Sequence, residues 1–227
     1  KGDVPEVQPG TVLGHEAVGT VVEVGDAVTT LVPGDRVLVS CITSCGRCRF
    51  CKEGRYGLCT GGGGWIFGHL IDGLQAEFAR VPFADTSVYK IPAELSDEQV
   101  LFLADILPTA YEVGVLNGGV QPGDTVAIVG AGPIGLAAIL TSKLFTPGRI
   151  VAIDPAAPRR QKALEFGADL AIDNSERTGI LSTPGCELKI SDGGSIIALN
   201  GDLGTFGGNA KVSLSGVSSG QQEYHDH

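Results

Sequence analysis

Hydrophobic and polar positions alternate over residues 11–40, and short, almost wholly apolar runs replace this pattern after residue 123. The stretches AVGTVVEVG and DRVLVS are rich in β-branched residues, and glycine- and proline-containing turns bound them, as is typical of strands. The stretch LQAEFARVP continues in the same style to Pro82. The pattern therefore predicts a β-rich first part of the chain.

A helix is predicted to begin at Ser96. Ser96 and Gln99 have the spacing of a capping box, and an apolar stripe follows through Val100, Leu103 and Leu107. Pro108 lacks an N–H group, so we expect it to break or restart this helix.

Three short apolar runs, TVAIVG, RIVAID and DLAID, are typical of parallel strands that are buried on both faces. Helical patterns lie between them and end at Pro147-Gly148 and at Gly167. This β-α-β-α-β order predicts an α/β fold, with the first half of a doubly wound parallel sheet. After about residue 180, ELKISDGGSIIALNG and NAKVSLSG alternate like antiparallel hairpin strands.

Composition narrows the possible partners. The 227 residues carry a formal net charge of −10, which disfavours binding to a nucleic-acid backbone or to an anionic membrane surface. No apolar run reaches the ~18 residues of a membrane-spanning helix. The chain contains no Met and begins with Lys1, so we expect it to be a fragment.

Four cysteines lie close together in the segment 45–59, which we call the cysteine loop. Cys45, Cys48, Cys51 and Cys59 follow the spacing C-x2-C-x2-C-x7-C. This spacing is typical of a closed, structural Zn²⁺ site and is awkward for disulfides, although buried thiols or disulfides are the alternative. The four basic residues of the loop either offset the charge of the metal cage or form a solvated face. Cys41 lies outside the spacing, and we expect it to be packed rather than ligating.

Residues 130–135, GAGPIG, have the G-x-G-x-x-G pattern between a predicted strand and a predicted helix. In that context the glycines permit a tight turn, and the helix N-terminus attracts a diphosphate. The sequence therefore predicts a dinucleotide site, with a Gly-rich turn of an unrelated sheet as the alternative. The predicted contacts of the turn are Gly130, Gly132, Pro133, Ile134 and Gly135.

Asp154 ends the next predicted strand, at the position expected for an acid that binds the ribose 2′-hydroxyl. A carboxylate there repels a 2′-phosphate, which favours NAD over NADP. Arg159 and Arg160 favour the opposite preference, since a nearby Arg can accept the phosphate.

His15, Glu16 and Asp105 are candidate ligands of a second metal. His15 and Glu16 are adjacent between two glycines, and Asp105 lies in the apolar stretch LFLADIL. A buried carboxylate needs a partner, which is a metal or, alternatively, a helix cap or an Arg. Spacing alone leaves these alternatives open.

The segments PGTVLGHEAVGTVVEVG, GDRVLVSCITSCGRCRFCKEGRYGLC, ADILPTAYEVGV and GDTVAIVGAGPIGLAAI resemble, in order, the zinc-dependent alcohol dehydrogenases of the medium-chain dehydrogenase/reductase superfamily. The resemblance covers residues 1 to about 180. GHLIDGLQAEF and ADILPT are similar to the branch that acts on small secondary alcohols. The resemblance implies that His15, Glu16 and Asp105 are catalytic zinc ligands and that the cysteine loop is the structural zinc lobe.

The implied architecture is a GroES-like β-rich catalytic domain at 1–107, a partial NAD(P)-binding Rossmann domain at 108–180, and an unassigned β-type tail at 181–227. The implied reaction is hydride transfer between a small alcohol, aldehyde or ketone and NAD(P)⁺, with zinc lowering the pKa of the alcohol. We expect a cytoplasmic protein, and the resemblance implies that full-length members of the family are homo-oligomers, which leaves the oligomeric state of this chain open.

The family's first zinc ligand is a Cys that would precede Lys1, and the second half of its cofactor sheet has no counterpart in the predicted pattern. We therefore expect this chain alone to have weak or no activity. A zinc- and dinucleotide-binding protein without turnover is the alternative. A zinc-free quinone reductase relative is disfavoured by the cysteine loop together with His15, Glu16 and Asp105.

Overall fold

The computed structural model describes residues 4–173 and three later strands, at 187–190, 194–198 and 211–214. The chain divides into two compact units, Lys1–Pro108 and Thr109–His227. Within the described residues no single helix is long and apolar enough to cross a bilayer. Only the joined pair Asp97–Leu103 and Ile106–Leu116 reaches that length and composition, and this pair is bent.

The first unit contains two small antiparallel sheets. Their strands are β1 (Ala17–Thr20), β2 (Arg36–Val39), β3 (Ile42–Thr43), β4 (Gly64–Trp65) and β5 (Val88–Lys90). One sheet has the order β1-β2-β5, and the other pairs β3 with β4. These sheets confirm the prediction of a β-rich first part. Val37 of β2 and Val88 of β5 are buried together in an apolar cluster with Leu31.

Residues 74–82 do not form the predicted strand. Gly73, Leu74 and Gln75 instead donate backbone hydrogen bonds to the carbonyls of residues 12–14, at 2.7–2.9 Å. A Cβ at Gly73 would collide with the carbonyl oxygens of Leu13 and Gly14. Gly73 therefore packs closely on the backbone of residues 12–14, in place of a regular ladder of strand hydrogen bonds. This contact holds the backbone immediately before His15.

Four short helices lie in or at the end of the first unit: α1 (Arg49–Lys52), α2 (Ala84–Ser87), α3 (Asp97–Val100) and α4 (Ile106–Thr109). The capping box at Ser96 is confirmed, with Gln99 N–H donating to Ser96 Oγ at 3.3 Å and Ser96 N–H to Gln99 Oε1 at 2.9 Å.

The predicted helix from Ser96 is interrupted before Pro108. A 3₁₀ turn at Leu101–Leu103 follows α3, and Asp105 lies between that turn and α4. Pro108 has no N–H for the carbonyl four residues earlier, which belongs to Ala104. The Cys41 N–H donates to that carbonyl at 3.0 Å. The proline thus leaves Ala104 open to a backbone hydrogen bond from a distant segment.

The second unit has the predicted β-α-β-α-β order. Its elements are β6 (Thr125–Val129), α5 (Pro133–Ser142), β7 (Arg149–Ile153), α6 (Ala157–Phe166) and β8 (Leu170–Ile172). Gly167 ends α6 with φ 106°, in the left-handed region that glycine tolerates. Val126, Ile128, Ile150 and Ala152 are buried at alternate positions of the two central strands.

The later strands are β9 (Glu187–Ile190), β10 (Gly194–Ala198) and β11 (Lys211–Leu214). The sequence predicts antiparallel hairpins here, and this prediction is wrong. β10 pairs in parallel with β6, and β11 pairs in parallel with β9. The larger sheet has the order β10-β6-β7-β8, so the strand order reverses at β6. Such a reversal places a ligand crevice at the carboxyl ends of the strands, and residues 130–135 directly follow β6.

Candidate functional site

The cysteine loop brings its four sulfur atoms together. Cys45 follows β3, Cys48 precedes α1, Cys51 lies in α1, and Cys59 follows a 3₁₀ turn at Tyr56–Leu58. All four Sγ atoms lie within 4.8 Å of one another, with Cys45 and Cys51 at 3.9 Å and Cys48 and Cys51 at 3.4 Å. Four thiolates at ~2.3 Å from one zinc stand ~3.8 Å apart in a tetrahedron. The residues therefore fit a closed four-thiolate zinc site.

Backbone N–H groups favour thiolates in this loop. Hydrogen bonds from the backbone of Cys51 and Thr60 lower the pKa of Cys48 to about 5. Burial opposes ionisation of Cys59, but backbone hydrogen bonds from Cys45, Gly61 and Gly63 leave its pKa lowered. Burial, followed by the hydrogen bond with Cys48, instead raises the pKa of Cys51 to about 12. The loop without metal therefore favours thiolates at Cys48 and Cys59 and a thiol at Cys51.

Two arginines of the cysteine loop, Arg49 and Arg55, contact other groups than the cysteine sulfur atoms. Arg49 and Arg55 lie over the ring of Phe50, at 5.9 and 5.5 Å from its centroid. Both also approach Glu53, at 2.7 and 3.8 Å. These contacts favour the interpretation of a solvated face for these two residues.

His15 and Asp105 meet although 90 positions separate them. His15 Nε2 lies 2.9 Å from Asp105 Oδ2, and both side chains are partly buried. This hydrogen bond raises the pKa of His15 against the opposing effect of burial. Beside them, Glu16 Oε1 is buried without a hydrogen-bond partner. A buried carboxylate oxygen without a hydrogen-bond partner, next to an imidazole and a second carboxylate, is an arrangement that suits a bound cation.

The two predicted metal sites differ in how closely their ligand atoms converge. Within residues 4–173, only the cysteine loop brings three or more potential ligand atoms within 4.8 Å of one another. His15, Glu16 and Asp105 do not converge to that degree. A metal there would have to draw in at least one of these side chains.

Trp65 borders His15, and His69 lies against the ring of Trp65; sequence reasoning missed both. Trp65 Nε1 donates to His15 Nδ1 at 3.4 Å, and the Trp65 and His69 rings lie 4.1 Å apart, centroid to centroid. The available signal was that Trp65 is the only tryptophan of the chain and follows four consecutive glycines. Its position makes it a wall of the space beside His15.

Cys41 also belongs to this neighbourhood. It is buried, and its backbone N–H donates to the carbonyl of Ala104, next to Asp105, at 3.0 Å. Burial, followed by the nearby charge of Asp105, raises the pKa of Cys41 to about 12. At neutral pH Cys41 is therefore a thiol rather than a thiolate.

The turn after β6 has the geometry that its glycines predict. Gly130 has φ 91°, and a Cβ at Gly135 would collide with the Gly130 carbonyl oxygen. A Cβ at Gly132 would meet nothing within 4 Å. Pro133 begins α5, where its fixed φ and missing N–H are tolerated. The turn therefore leaves space in front of Gly132, at the N-terminus of a ten-residue helix.

Asp154 anchors this turn from the end of β7. Its Oδ2 accepts the Ala131 N–H and its Oδ1 accepts the Ala156 N–H, each at 2.8 Å, and its side chain is 2% exposed. Arg159 lies 3.8 Å from Oδ2 and is 61% exposed. Arg160 instead pairs with Asp173 at 2.6 Å and donates to the Asp154 carbonyl. Of the two arginines, Arg159 is the one that faces solvent beside the carboxylate.

Comparisons with known proteins agree with these features. Residues 1–93 match the family model described as alcohol dehydrogenase GroES-like domain. The chain is 35% identical over 193 residues to a zinc-type alcohol dehydrogenase-like protein of Schizosaccharomyces pombe, which covers 77% of this chain and 45% of the relative. A solved zinc-dependent alcohol dehydrogenase 2 from Streptococcus pneumonia, in its apo form, is 49% identical with a TM-score of 0.73, over 78% of this chain and 49% of that one.

One similarity extends further along the chain. A Mycobacterium tuberculosis protein named "Probable zinc-binding alcohol dehydrogenase" is 33% identical over 220 residues, which is 96% of this chain and 56% of the relative. This matched stretch runs past residue 180, where the likeness was expected to end, and β10, which pairs with β6, lies in that part of the chain. The chain spans about half the length of the curated relatives it matches.

Proposed function

Because this chain belongs to the zinc-dependent alcohol dehydrogenases of the medium-chain dehydrogenase/reductase superfamily, we propose that it provides the zinc- and dinucleotide-binding parts of an enzyme that transfers a hydride between a small alcohol and NAD(P)⁺. The observation that carries this proposal is the contact of His15 with Asp105 at 2.9 Å beside the unpaired Glu16 oxygen. The homo-oligomeric state and the cytoplasmic location stay predictions.

In this proposal His15 and Asp105 hold the catalytic metal, and Glu16 is a nearby carboxylate that can exchange with them. A bound zinc ion supplies Lewis-acid polarisation of the substrate oxygen. Trp65 shields His15 on one side, and the half-buried positions of His15 and Asp105 limit the access of water. Small secondary alcohols are the proposed substrate class.

In the second unit, the space before Gly132 and the N-terminus of α5 are proposed to receive the pyrophosphate of the cofactor. The crevice at the reversal of strand order, between β6 and β10, is proposed to receive the rest of the cofactor. The cysteine loop is proposed to be closed and structural, since four thiolates leave no open position for a substrate.

We expect the chain to bind NADH more tightly than NADPH, by about tenfold or more. Asp154 is held in place by two backbone N–H groups, at a position where a carboxylate repels a 2′-phosphate. Fluorescence titration with each reduced cofactor measures the difference. Asp154→Asn should reduce the difference in affinity between NADH and NADPH, and Arg159→Ala should increase it. Equal affinities for the two cofactors in the unmodified chain would contradict the assignment.

The alternative is a protein that binds zinc and dinucleotide without turnover. The observation in its favour is that, in the described part of the chain, only the cysteine loop converges as a preformed ligand set. Elemental analysis after extensive dialysis, with an assay of 2-propanol-dependent NAD⁺ reduction, separates the two functions.

We expect one zinc per chain to survive dialysis and turnover by the purified chain to lie far below the ~1–10³ s⁻¹ of ordinary enzymes. Cys48→Ser should remove the retained zinc, and His15→Ala should not. If added Zn²⁺ fills a second site that His15→Ala abolishes, the dehydrogenase assignment is supported. If no second zinc binds under any condition, the non-catalytic alternative holds.

A further inference from the structure

We propose that the cysteine loop is a redox-sensitive zinc site, in which oxidation joins Cys48 to Cys51, releases the ion and loosens the hairpin of β3 and β4 that holds Trp65 against His15. The inference rests on the proposed function, because it treats the loop as a structural zinc site. The sequence offered disulfides as the alternative to zinc, whereas the structure accommodates both in one loop, at different oxidation states.

Cys48 and Cys51 lie close enough to be joined after a small movement. Their Sγ atoms are 3.4 Å apart, which is less than the ~3.8 Å between the thiolates of a tetrahedral zinc site. A disulfide bond measures ~2.05 Å, so each sulfur atom has to move by about 0.7 Å. Cys48 is partly exposed and within reach of an oxidant, whereas Cys51 is buried. An accessible cysteine beside a second one is typical of redox-sensitive pairs.

Cys45 and Cys59 are held by other contacts. The Sγ atom of Cys45 lies 3.9 Å from that of Cys51, and it packs against Gly61, where an added Cβ would lie 2.4 Å from the same sulfur. The backbone N–H of Cys45 donates to Cys59 Sγ at 3.4 Å. We therefore expect Cys45 and Cys59 to stay reduced when the other pair is joined.

The proposed oxidant is a small disulfide, which the reaction reduces to two thiolates. The sulfur of Cys48 attacks the small disulfide, forms a mixed disulfide and expels the first thiolate. The sulfur of Cys51 then attacks Cys48 Sγ, expels the second thiolate and closes the protein disulfide. Two of the four zinc ligands are lost in this way, and the two remaining thiolates do not make the four-coordinate site that holds the ion.

The hairpin of β3 and β4 depends on how the cysteine loop is closed, because the loop lies in the connection between these two antiparallel strands. Each strand has only two residues, and so small a strand pair is marginal by itself. In the zinc-loaded loop, Cys45 near β3 is tied to Cys59 on the side of β4, and such a clip stabilises a loop. A disulfide between Cys48 and Cys51 closes only the turn at α1. Oxidation therefore leaves the two ends of the connection untied.

Trp65 carries the effect to the candidate catalytic site. It belongs to β4, where it pairs with Ile42 of β3, and its Nε1–H donates to His15 Nδ1 at 3.4 Å. A loosened hairpin therefore releases the indole from His15. Trp65 is the only tryptophan of the chain, so its fluorescence reports this release directly.

The test uses the zinc-loaded Cys186→Ala chain, whose remaining cysteines are Cys41 and the four of the loop. Oxidised glutathione is added in excess, zinc release is followed with a chromophoric chelator, and disulfides are mapped by alkylation and mass spectrometry. Reduced glutathione is the control and should release no zinc. Dithiothreitol with added Zn²⁺ should restore the starting state.

We expect one zinc ion to be released for each Cys48–Cys51 disulfide that forms, with Cys45 and Cys59 still open to alkylation. The emission of Trp65 should move to longer wavelength in step with zinc release, because the indole becomes more exposed. Absence of a disulfide, a disulfide that includes either of the other two loop cysteines, zinc that stays bound after oxidation, or an unchanged emission would each overturn the proposal while the proposed function stands.

Two histidine variants separate the roles of the cysteines. Cys51→His keeps a zinc ligand but removes the second thiol, so the reaction should stop at the mixed disulfide on Cys48. Cys59→His is the matched control, and it should still form the disulfide. Should Cys51→His bind no zinc, the disulfide map of the Cys186→Ala chain decides alone. If Cys48→Ser removes no zinc from the reduced chain, the structural zinc site itself fails, and the redox role fails with it.

Discussion

Gly135→Ala is expected to destabilise the second unit by about 3 kcal/mol or more, while Gly132→Ala leaves it folded and weakens dinucleotide binding by at least about tenfold. The two substitutions add the same methyl group within one turn. At Gly135 it would collide with the backbone carbonyl oxygen of Gly130, whereas at Gly132 it meets nothing within 4 Å.

Two opposing energies decide whether Gly135→Ala stabilises or destabilises the second unit. Alanine is favoured over glycine inside a helix by about 1 kcal/mol. Overpacking against a side chain costs about 1–3 kcal/mol, and here the obstacle is backbone at the end of β6, which cannot change rotamer. The helix and the strand must therefore separate, which disturbs a buried contact between α5 and the sheet.

The effect of Gly132→Ala has a different origin, because the space before Gly132 is proposed to be filled only when the pyrophosphate binds. Its backbone φ of −75° suits alanine, so its unfolding free energy should change by less than about 1 kcal/mol. Urea unfolding and NADH titration of both full-length variants measure the two quantities. A stable Gly135→Ala chain, or a Gly132→Ala chain with parental affinity, would show that the turn does not act as described.

Gly61→Ala is expected to weaken zinc binding at the cysteine loop by about a hundredfold or more, which corresponds to about 2.7 kcal/mol. A Cβ at Gly61 would lie 2.8 Å from the Cβ of Cys45 and closer still to its sulfur. Cys45 would have to move, and a tetrahedral site with Zn–S bonds of ~2.3 Å tolerates displacements of only a few tenths of an ångström.

Gly57→Ala is the matched control in the same loop, because a Cβ there meets nothing within 4 Å. Its zinc affinity should equal that of the parent chain. Competition with a chromophoric chelator measures both variants, and circular dichroism reports whether the first unit stays folded. Equal zinc affinities in the two variants would mean that the cysteines do not hold the metal in the arrangement seen here.

Local patterns made much of the fold predictable. The strands β6 and β7 and the helix α5 follow from runs whose period and flanking glycines agree, and the cysteine loop follows from spacing alone. The capping box at Ser96 was predictable for the same reason, since both partners lie three residues apart. Each of these features depends on residues that are near neighbours in sequence.

Contacts between distant segments were not predictable in this way. Nothing in the sequence pattern places Trp65 against His15, or Cys41 against Ala104, because these contacts arise only when the sheets and turns of the first unit pack. The pairing of β10 was missed because a run of five residues does not reveal whether the neighbouring strand is parallel or antiparallel. The interruption of the helix before Asp105 depends on Pro108 together with Cys41, and these two residues lie 67 positions apart in the sequence.

The position of β10 has a consequence for the order of folding. β6 is apolar and becomes an interior strand only when residues 194–198 pair beside it. The long segment between β6 and β10 must be closed, at a cost in chain entropy, before β10 can pair with β6. The sheet of β6, β7 and β8 therefore forms first and carries β6 as an open edge. During synthesis, that edge stays exposed until the ribosome has released β10, and in this interval the nascent chain is most vulnerable to pairing with another copy.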